Sequence, residues 1–474
     1  MRLSGAFDAG EHVNTARTSP LSTRLASGGL WVLGLQLVST VAGIALISLL
    51  SRYLTPIELG GYFLVNNLVM TLALVVNLGL PEAVTRTVAQ KSSEPGNATV
   101  LGMISASFRL HSVAALAVGT LLLGGGAGLL LQGAFDIDGN WSLDALLVAW
   151  IILLALQLLL GASFRGFHNI RDATIYGRTL RVVLALPAAL LLHAFVENFT
   201  LVHAIGAWVL ALVVNDLLAW RKLRQRLRSD VEPVRPPSLE LLNRAYPFLL
   251  NALLLTLIAR SGLWVLGVSD SNDEVALYGA SLQMVSLLLF PMQIINQVLP
   301  PFISSLHSQR SQHSKLQNII RSFATLGAIA SGSLFLIFLF FGEQLLAIVF
   351  GDFYREAAPL LLVLALGQTF NILTGPHGAL LRMTDHQHML FRINLVSGTL
   401  TFAGILLVAP HFGAIGIAIV ISGTIAIQNV YVALISYRRT GILCCCYFSP
   451  SDLRTLYSTL KSVAVTLLRR SKTS

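Results

Sequence analysis

Arg260 stands inside an apolar run, 245–268, that holds no other charge. It lies about eight residues, hence ~12 Å, from the C-terminal end of that run. Arginine keeps its charge and offers a planar fork of N–H donors that fits phosphate oxygens two at a time. Its Cα–Cβ bond tilts toward the helix N-terminus, which holds the guanidinium in the interior rather than at the nearer surface. Such a group suits an anionic lipid headgroup; the alternative is a structural arginine bonded to helix carbonyls or interior amides. Thr256 and Trp264 share its helical face, and an aromatic beside a cation suits a sugar phosphate.

Amides make the second set. At 100° per residue, Tyr62, Asn66, Met70 and Asn77 fall within about 100° of one another. Gln36, Ser39, Thr40 and Gly43 share another face; Gln283, Ser286, Gln293 and Gln297 share a third around Pro291; Gln368, Asn371, Gly375 and Gly378 share a fourth beside Pro376. Helices that face only lipid have no use for amides, so these stripes mark interior surfaces. Any one of them reads equally well as helix–helix glue. Four stripes favour one polar cavity, with Arg260, Asn66, Asn77, Gln36, Gln283, Gln293, Gln297 and Trp264 as substrate-binding candidates and Arg24 and Arg52 at its mouth.

Other reactive types carry less. Arg86, Arg165, Arg382 and Arg392 sit at span ends and read as topology anchors, His193 and His203 as interfacial histidines, and Asp216 as a paired or solvated carboxylate near the end of a span. Cys444-Cys445-Cys446 is contiguous, a poor geometry for one metal or a disulfide, and reads as an interfacial apolar patch with acylation as the alternative. There is no glycine-rich nucleotide loop of the Walker type and no Cys/His cluster with metal spacing. No cofactor and no catalytic group is therefore expected.

The elements that must position these residues follow from composition. Only 11% of the 474 residues are charged and 55% are hydrophobic. A soluble globular protein carries about 25% charged residues, so a water-soluble enzyme is excluded, as is disorder. Residues 25–51 lack charge entirely, and a spanning helix needs about 20 apolar residues. Further runs cover 59–81, 110–131, 145–164, 179–196, 199–218, 245–268, 276–299, 322–342, 357–381, 389–409 and 412–437, giving an all-α integral membrane fold of about twelve transmembrane helices. Residues 1–24 are polar, unlike a signal peptide, and the first run is read as a retained anchor.

The net charge of +10 divides sharply on this parse. With the N-terminus cytoplasmic, inner segments hold 29 Lys and Arg and outer loops only Arg52 and Arg355, while acids divide 11 and 11. That asymmetry predicts cytoplasmic termini and needs no nucleic-acid partner. The basic stretch from Arg221 to Arg228, followed by Pro233, Pro236 and Pro237, reads as a linker between two halves. The predicted organisation is a cytoplasmic segment 1–24, a six-helix lobe 25–220, a linker 221–244, a second six-helix lobe 245–437, and a tail 438–474. In the tail, Leu453, Leu456, Leu460, Val463 and Leu467 repeat at helical spacing among basic residues, which predicts an amphipathic helix on the anionic leaflet. Internal matches support duplication: Glu58 and Tyr62 with Glu274 and Tyr278, Gly161 and Arg165 with Gly378 and Arg382, and Arg109 with Arg321.

The stretch Ser51-Arg52-Tyr53-Leu54-Thr55-Pro56-Ile57-Glu58-Leu59-Gly60-Gly61-Tyr62 is similar to the opening of the bacterial polysaccharide-biosynthesis flippases, and residues Pro410 to Ser422 resemble their C-terminal half. The resemblance covers essentially the whole chain and rests on fold-level motifs. It implies two six-helix lobes around a cationic central cavity, and outward movement of a polyprenyl-pyrophosphate-linked oligosaccharide for surface polysaccharide assembly in the bacterial inner membrane. Membrane lipids and other polysaccharide-assembly proteins are the further partners it implies. Relatives often carry an acidic–Arg pair in the seventh span; here Gly262 and Leu263 stand there and Arg260 precedes them. Two other classes stay open: an ion-coupled multidrug extruder of the same superfamily, which needs a buried carboxylate, and a membrane scaffold for a glycan-synthesis complex.

Overall fold

A computed structural model describes residues 21–91, 98–135, 140–227, 238–269, 272–300, 313–384 and 386–447, together with 137, 234 and 303. The tail helix expected after Ser451 lies outside the described residues, as do the side chains of Arg24 and Gln297. Among the described residues the chain is helical and without strands. The N-terminal half comprises α1 (Leu21–Tyr53), α2 (Pro56–Asn77), α3 (Leu80–Lys91), α4 (Ala98–Leu121), α5 (Ala127–Phe135), α6 (Trp141–Gly166), α7 (Ile170–Thr174), α8 (Leu180–Phe195) and α9 (Leu201–Arg226). The C-terminal half comprises α10 (Ser238–Ser269), α11 (Asn272–Val298), α12 (His313–Phe350), α13 (Ala358–Thr374), α14 (His377–Met383) and α15 (Gln387–Thr440).

Eleven helical stretches among the described residues are long and apolar enough to cross a membrane. The last of them, α15, counts twice. Its 54 residues would reach about 81 Å if straight, well beyond a bilayer. The backbone instead reverses at Gly413, whose φ of 52° lies in the left-handed region. Ser397 Oγ donates to Gln428 Oε1 at 2.8 Å, and Gly404 faces Val420 while Gly416 faces Val408, so residues pair in antiparallel order about the bend. Glu274 caps that bend by accepting from the Ala414 amide at 2.8 Å, and a Cβ on Gly413 would collide with its carboxylate. Twelve spans therefore result, and both described ends of the chain lie on one face, the basic face of the sequence; the opposite face is the acidic one.

Several helices run longer than the hydropathy runs. The fifth span begins at Ile170 rather than 179, so Arg178 and Arg181 lie within it. Helices thus run on past the apolar runs that mark them, and Arg181, like Arg260, is a cation inside a span helix and not fully exposed. The third span likewise takes in Arg109.

Capping fixes the loops on the acidic face. Thr55 and Glu58 form a capping box at the start of α2, with Pro56 in the first turn. The α9 start uses Thr200 and His203, whose Nδ1 accepts from the Thr200 amide at 3.1 Å, while His193 stacks on Tyr53 at 3.8 Å. Both histidines are thereby occupied structurally.

Small residues let the halves approach. The position of a Cβ on Gly279 falls against the Phe63 ring, on Gly267 against Leu64, and on Gly60 against the Asn272 carbonyl. The junction is therefore built from α1 and α2 on one side and α10 and α11 on the other. Helices one and two thus meet seven and eight.

Candidate functional site

The α1–α2/α10–α11 junction gathers most of the sequence candidates. α10 delivers Arg260 to α2, where Nη1 donates to Asn67 Oδ1 at 3.2 Å. The guanidinium is half-buried, and its other donors have no hydrogen-bond acceptor among the described residues. No carboxylate pairs with it there either. Asn67 is fully buried, its Nδ2 has no partner among the described residues, and it holds its oxygen toward the cation. A hydrogen bond to a charged group contributes about 1.5–3 kcal/mol, enough to orient Arg260 while leaving most of its fork available.

Asn67 was not in the predicted stripe. The spacing pointed to Asn66, one residue and 100° away, which is only partly buried and bonds nothing described across the junction. Asn77 is also placed differently from the expectation. It is buried within the N-terminal half and donates to the Ala155 carbonyl at 3.0 Å, tying α2 to α6 rather than facing the other half. A helix stripe computed at 100° cannot distinguish a face turned to the partner half from one turned to its own.

Gln36, Gln283, Gln293 and Trp264 lie near the junction, and Arg52 lies at its edge. Gln36 of α1 donates to Gln293 Oε1 of α11, an amide pair between halves. Gln283 lies opposite Gly43, its Nε2 at 3.6 Å from where a Cβ would stand. Trp264 packs on Phe135 at 5.6 Å, one turn from Arg260, and its Nε1 has no partner among the described residues. Arg52 is exposed at the acidic face and donates to the Ile348 carbonyl at 3.1 Å, while Ser48 donates to the carbonyl of Val349. These bonds latch α1 to α12 on the acidic side. Arg52 therefore stands at a closed junction on that side, rather than at an open mouth.

A second cation escaped the sequence reading. Arg181 of α8 lies over the Trp208 ring at 5.9 Å and within electrostatic reach of Asp216, whose neighbour Asn215 donates to Oδ1 at 2.9 Å. Asp216 is only 4% exposed, so of the two expectations, paired or solvated, solvation fails; it is a buried carboxylate in α9 that accepts from Asn215. Arg181 and Asp216 belong to the N-terminal half alone. Their signal was the pair of arginines 178 and 181 one turn apart, which hydropathy assigned to a loop. Among the described residues no group of His, Cys, Asp and Glu could hold a metal ion.

A cation and amides meet at the contact of two six-helix halves of a multi-span membrane protein. Solved structures share this fold. The lipid II flippase MurJ in an inward closed conformation superimposes with a TM-score of 0.69 at 12% identity, covering 93% of each chain. An inward-facing MATE multidrug transporter of the MOP superfamily gives 0.62 at 16% identity over 88% of this chain and 94% of that one. A MOP superfamily transporter from Pyrococcus furiosus Vc1 (DSM3638) gives 0.60 at 14% over 88% and 95%. No curated protein matches the chain. Residues 25–307 match the family described as polysaccharide biosynthesis protein, and the chain belongs to that family.

Proposed function

We propose that the protein is a flippase of the bacterial inner membrane that moves a polyprenyl-pyrophosphate-linked oligosaccharide from the inner to the outer leaflet for surface polysaccharide assembly. The observation that carries this reading is Arg260, half-buried between the halves and held by Asn67, with donors left over and no carboxylate against it. A pyrophosphate would take those donors as charge-assisted, bidentate bonds. Gln36, Gln283 and Gln293 would meet sugar hydroxyls, Trp264 a sugar face, and the prenyl chain would stay in lipid. Movement would proceed by rocking one half against the other, with the Arg52 and Ser48 latch on the acidic side opening in turn. The basic face would be cytoplasmic, and no covalent chemistry is required of the chain.

Deleting the gene should accumulate lipid-linked glycan on the inner leaflet, and Arg260→Ala should reproduce that block with normal membrane insertion. Normal polymer export by Arg260→Ala would overturn the role given to this residue.

Buried Asp216 favours a second reading, ion-coupled extrusion of small amphipathic compounds, because such coupling uses a carboxylate inside the protein. Arg181 lies within electrostatic reach of it, without an ion pair between the two among the described residues. Asp216→Asn should leave glycan export intact on the first reading; loss of drug resistance with export intact would favour the second.

A further inference from the structure

The C-terminal half contains a polar cavity of about 170 Å³ that the flippase reading does not use. It lies on the basic side, beyond the Gln36–Gln293 contact, among the ends of α11, α13, α14 and α15. Arg382 reaches it from α14, His377 from the start of the same helix, Asn371 from α13, and Asn394, Gln428 and Asn429 from the two arms of α15.

The hydrogen-bond order decides what the cavity offers. Ser397 donates to Gln428 Oε1, and Gln428 Nε2 donates to Asn394 Oδ1, each at 2.8 Å. Asn394 is thus left with its NH₂ group as a donor at the cavity. Asn429 Nδ2 donates to the Ile425 carbonyl at 2.8 Å, which turns Oδ1 toward His377 Nε2 at 3.0 Å and assigns that nitrogen the proton. His377 is 5% exposed, and its Nδ1 is buried away from the cavity. Arg382 makes no ion pair among the described residues. The walls therefore combine one guanidinium and fixed amide donors, with no described carboxylate among the lining residues.

Nothing in the fold demands that polarity. Gly378 and Arg382 have counterparts 217 residues earlier, and the same geometry recurs: a Cβ on Gly378 would lie 3.7 Å from Arg382 Nη1, and one on Gly161 3.8 Å from Arg165 Nη1. Counted back by the same interval, Asn371 and His377 fall on Leu154 and Leu160, both fully buried. One half closes this region with leucine; the other keeps it open and polar.

The geometry points to a binding site for an anionic sugar unit, a hexose-sized ring bearing a carboxylate or phosphate. Its anionic group pairs with Arg382 and the Asn394 amide, and its hydroxyls meet Asn371. A planar fork beside amide donors recognises an oxyanion, and amides bind vicinal hydroxyls. That the sugar belongs to the transported glycan rests on the flippase reading; the recognition chemistry does not.

The test is equilibrium binding to the purified full-length protein in nanodiscs, with glucuronate, glucose 1-phosphate, glucose and a galacturonate trimer as probes. Glucuronate and glucose 1-phosphate should bind at least about tenfold more tightly than glucose. Arg382→Gln should erase that preference, and Arg382→Lys should restore part of it. Tighter binding of the trimer than of monomers identifies a unit of a chain; binding of monomers alone identifies a free sugar acid, and either supports the site. Equal affinities for glucose and glucuronate, or an unchanged preference in Arg382→Gln, would overturn it. Arg260→Ala should bind glucuronate normally, so failure of the junction reading and failure of this site give different results.

Discussion

The fourth and tenth spans begin from one plan and end differently. In the N-terminal half, α6 runs unbroken from Trp141 to Gly166, with Leu154 and Leu160 sealed in the core. In the C-terminal half, the helix stops at Thr374, turns through Gly375 and Pro376, and resumes as α14. Proline lacks an N–H and restricts the residue before it, so the break is written into the sequence. Irregular backbone near membrane depth survives only where it is buried in protein or lines a cavity. Here the 441–447 segment covers it: the Cys444 carbonyl sits over Gly375, and the Cys446 amide donates to the Leu373 carbonyl at 3.1 Å. One half is thus a packed scaffold, and the other carries an opened element whose cost is offset by a local cover.

The same contrast separates two arginines, and it yields the largest expected effect. Arg181 is enclosed within the N-terminal half near Asp216, whereas Arg260 lies at the junction bonded to an amide. Truncating Arg181 removes a cation from over the Trp208 ring and its electrostatic attraction to buried Asp216, a loss of about 2–4 kcal/mol. Arg181→Ala should lower thermal stability in detergent strongly, while Arg260→Ala should cost about 1–3 kcal/mol, the single bond to Asn67. Equal loss of stability in the two variants would remove the distinction between a structural and a junction cation.

The break itself supplies the next test. Gly375 has φ +83°, and a Cβ there would stand 2.1 Å from the Cys444 carbonyl oxygen. Left-handed backbone costs a non-glycine residue about 1–2 kcal/mol, and the cover would also have to move. Gly375→Ala should therefore destabilise by about 2–3 kcal/mol. Gly161→Ala in the N-terminal half, where the nearest atom is Gly177 Cα at 3.1 Å, should cost less. Unfolding midpoints of the two variants check the order.

Exchanging residues between the halves probes the cavity. Asn371→Leu places the N-terminal half's residue in the C-terminal half. Asn371 donates only to Gln368 Oε1 at 3.2 Å among its described partners, so stability should change by about 1 kcal/mol at most. Glucuronate binding should nonetheless weaken. Unchanged binding would show that the cavity wall at this position is not used.

The parts of this contrast legible in the sequence are those set by composition. Charge-free runs and basic loops give twelve spans because bilayer thickness imposes a length on each. The Gly–Arg and Glu–Tyr matches recur at nearly constant offset, and the spacing of Arg260 marks a cation that the fold brings to the junction. Periodicity fails at Asn67 and Asn77 because it gives an angle on one helix without saying which neighbour that angle meets. Arg181 was hidden because it lowers the hydropathy of the helix that holds it, and the burial of Asp216 because hydropathy does not say which neighbour covers a residue. The cavity around Arg382 needed residues from α13 to α15 whose meeting depends on the bend at Gly413. Asn394, Gln428 and Asn429 were visible only as scattered amides.

The smallest effect concerns the cover. Burial pushes the Cys444 thiol up to about 12, whereas Cys445 is partly exposed. The thiolate is the reactive form. With a raised value the charged form is scarce below the native pKa, so at pH 8 only about one Cys444 in ten thousand is ionised. Iodoacetamide should accordingly label Cys445 well before Cys444, with mass spectrometry of the 441–447 peptide as the readout. Gly375→Ala displaces the Cys444 carbonyl, and it should bring the two labelling rates together by loosening the cover. Labelling of Cys444 that is slow in both proteins would mean that the cover holds without the break beneath it. Its link to the opened tenth span would then be lost.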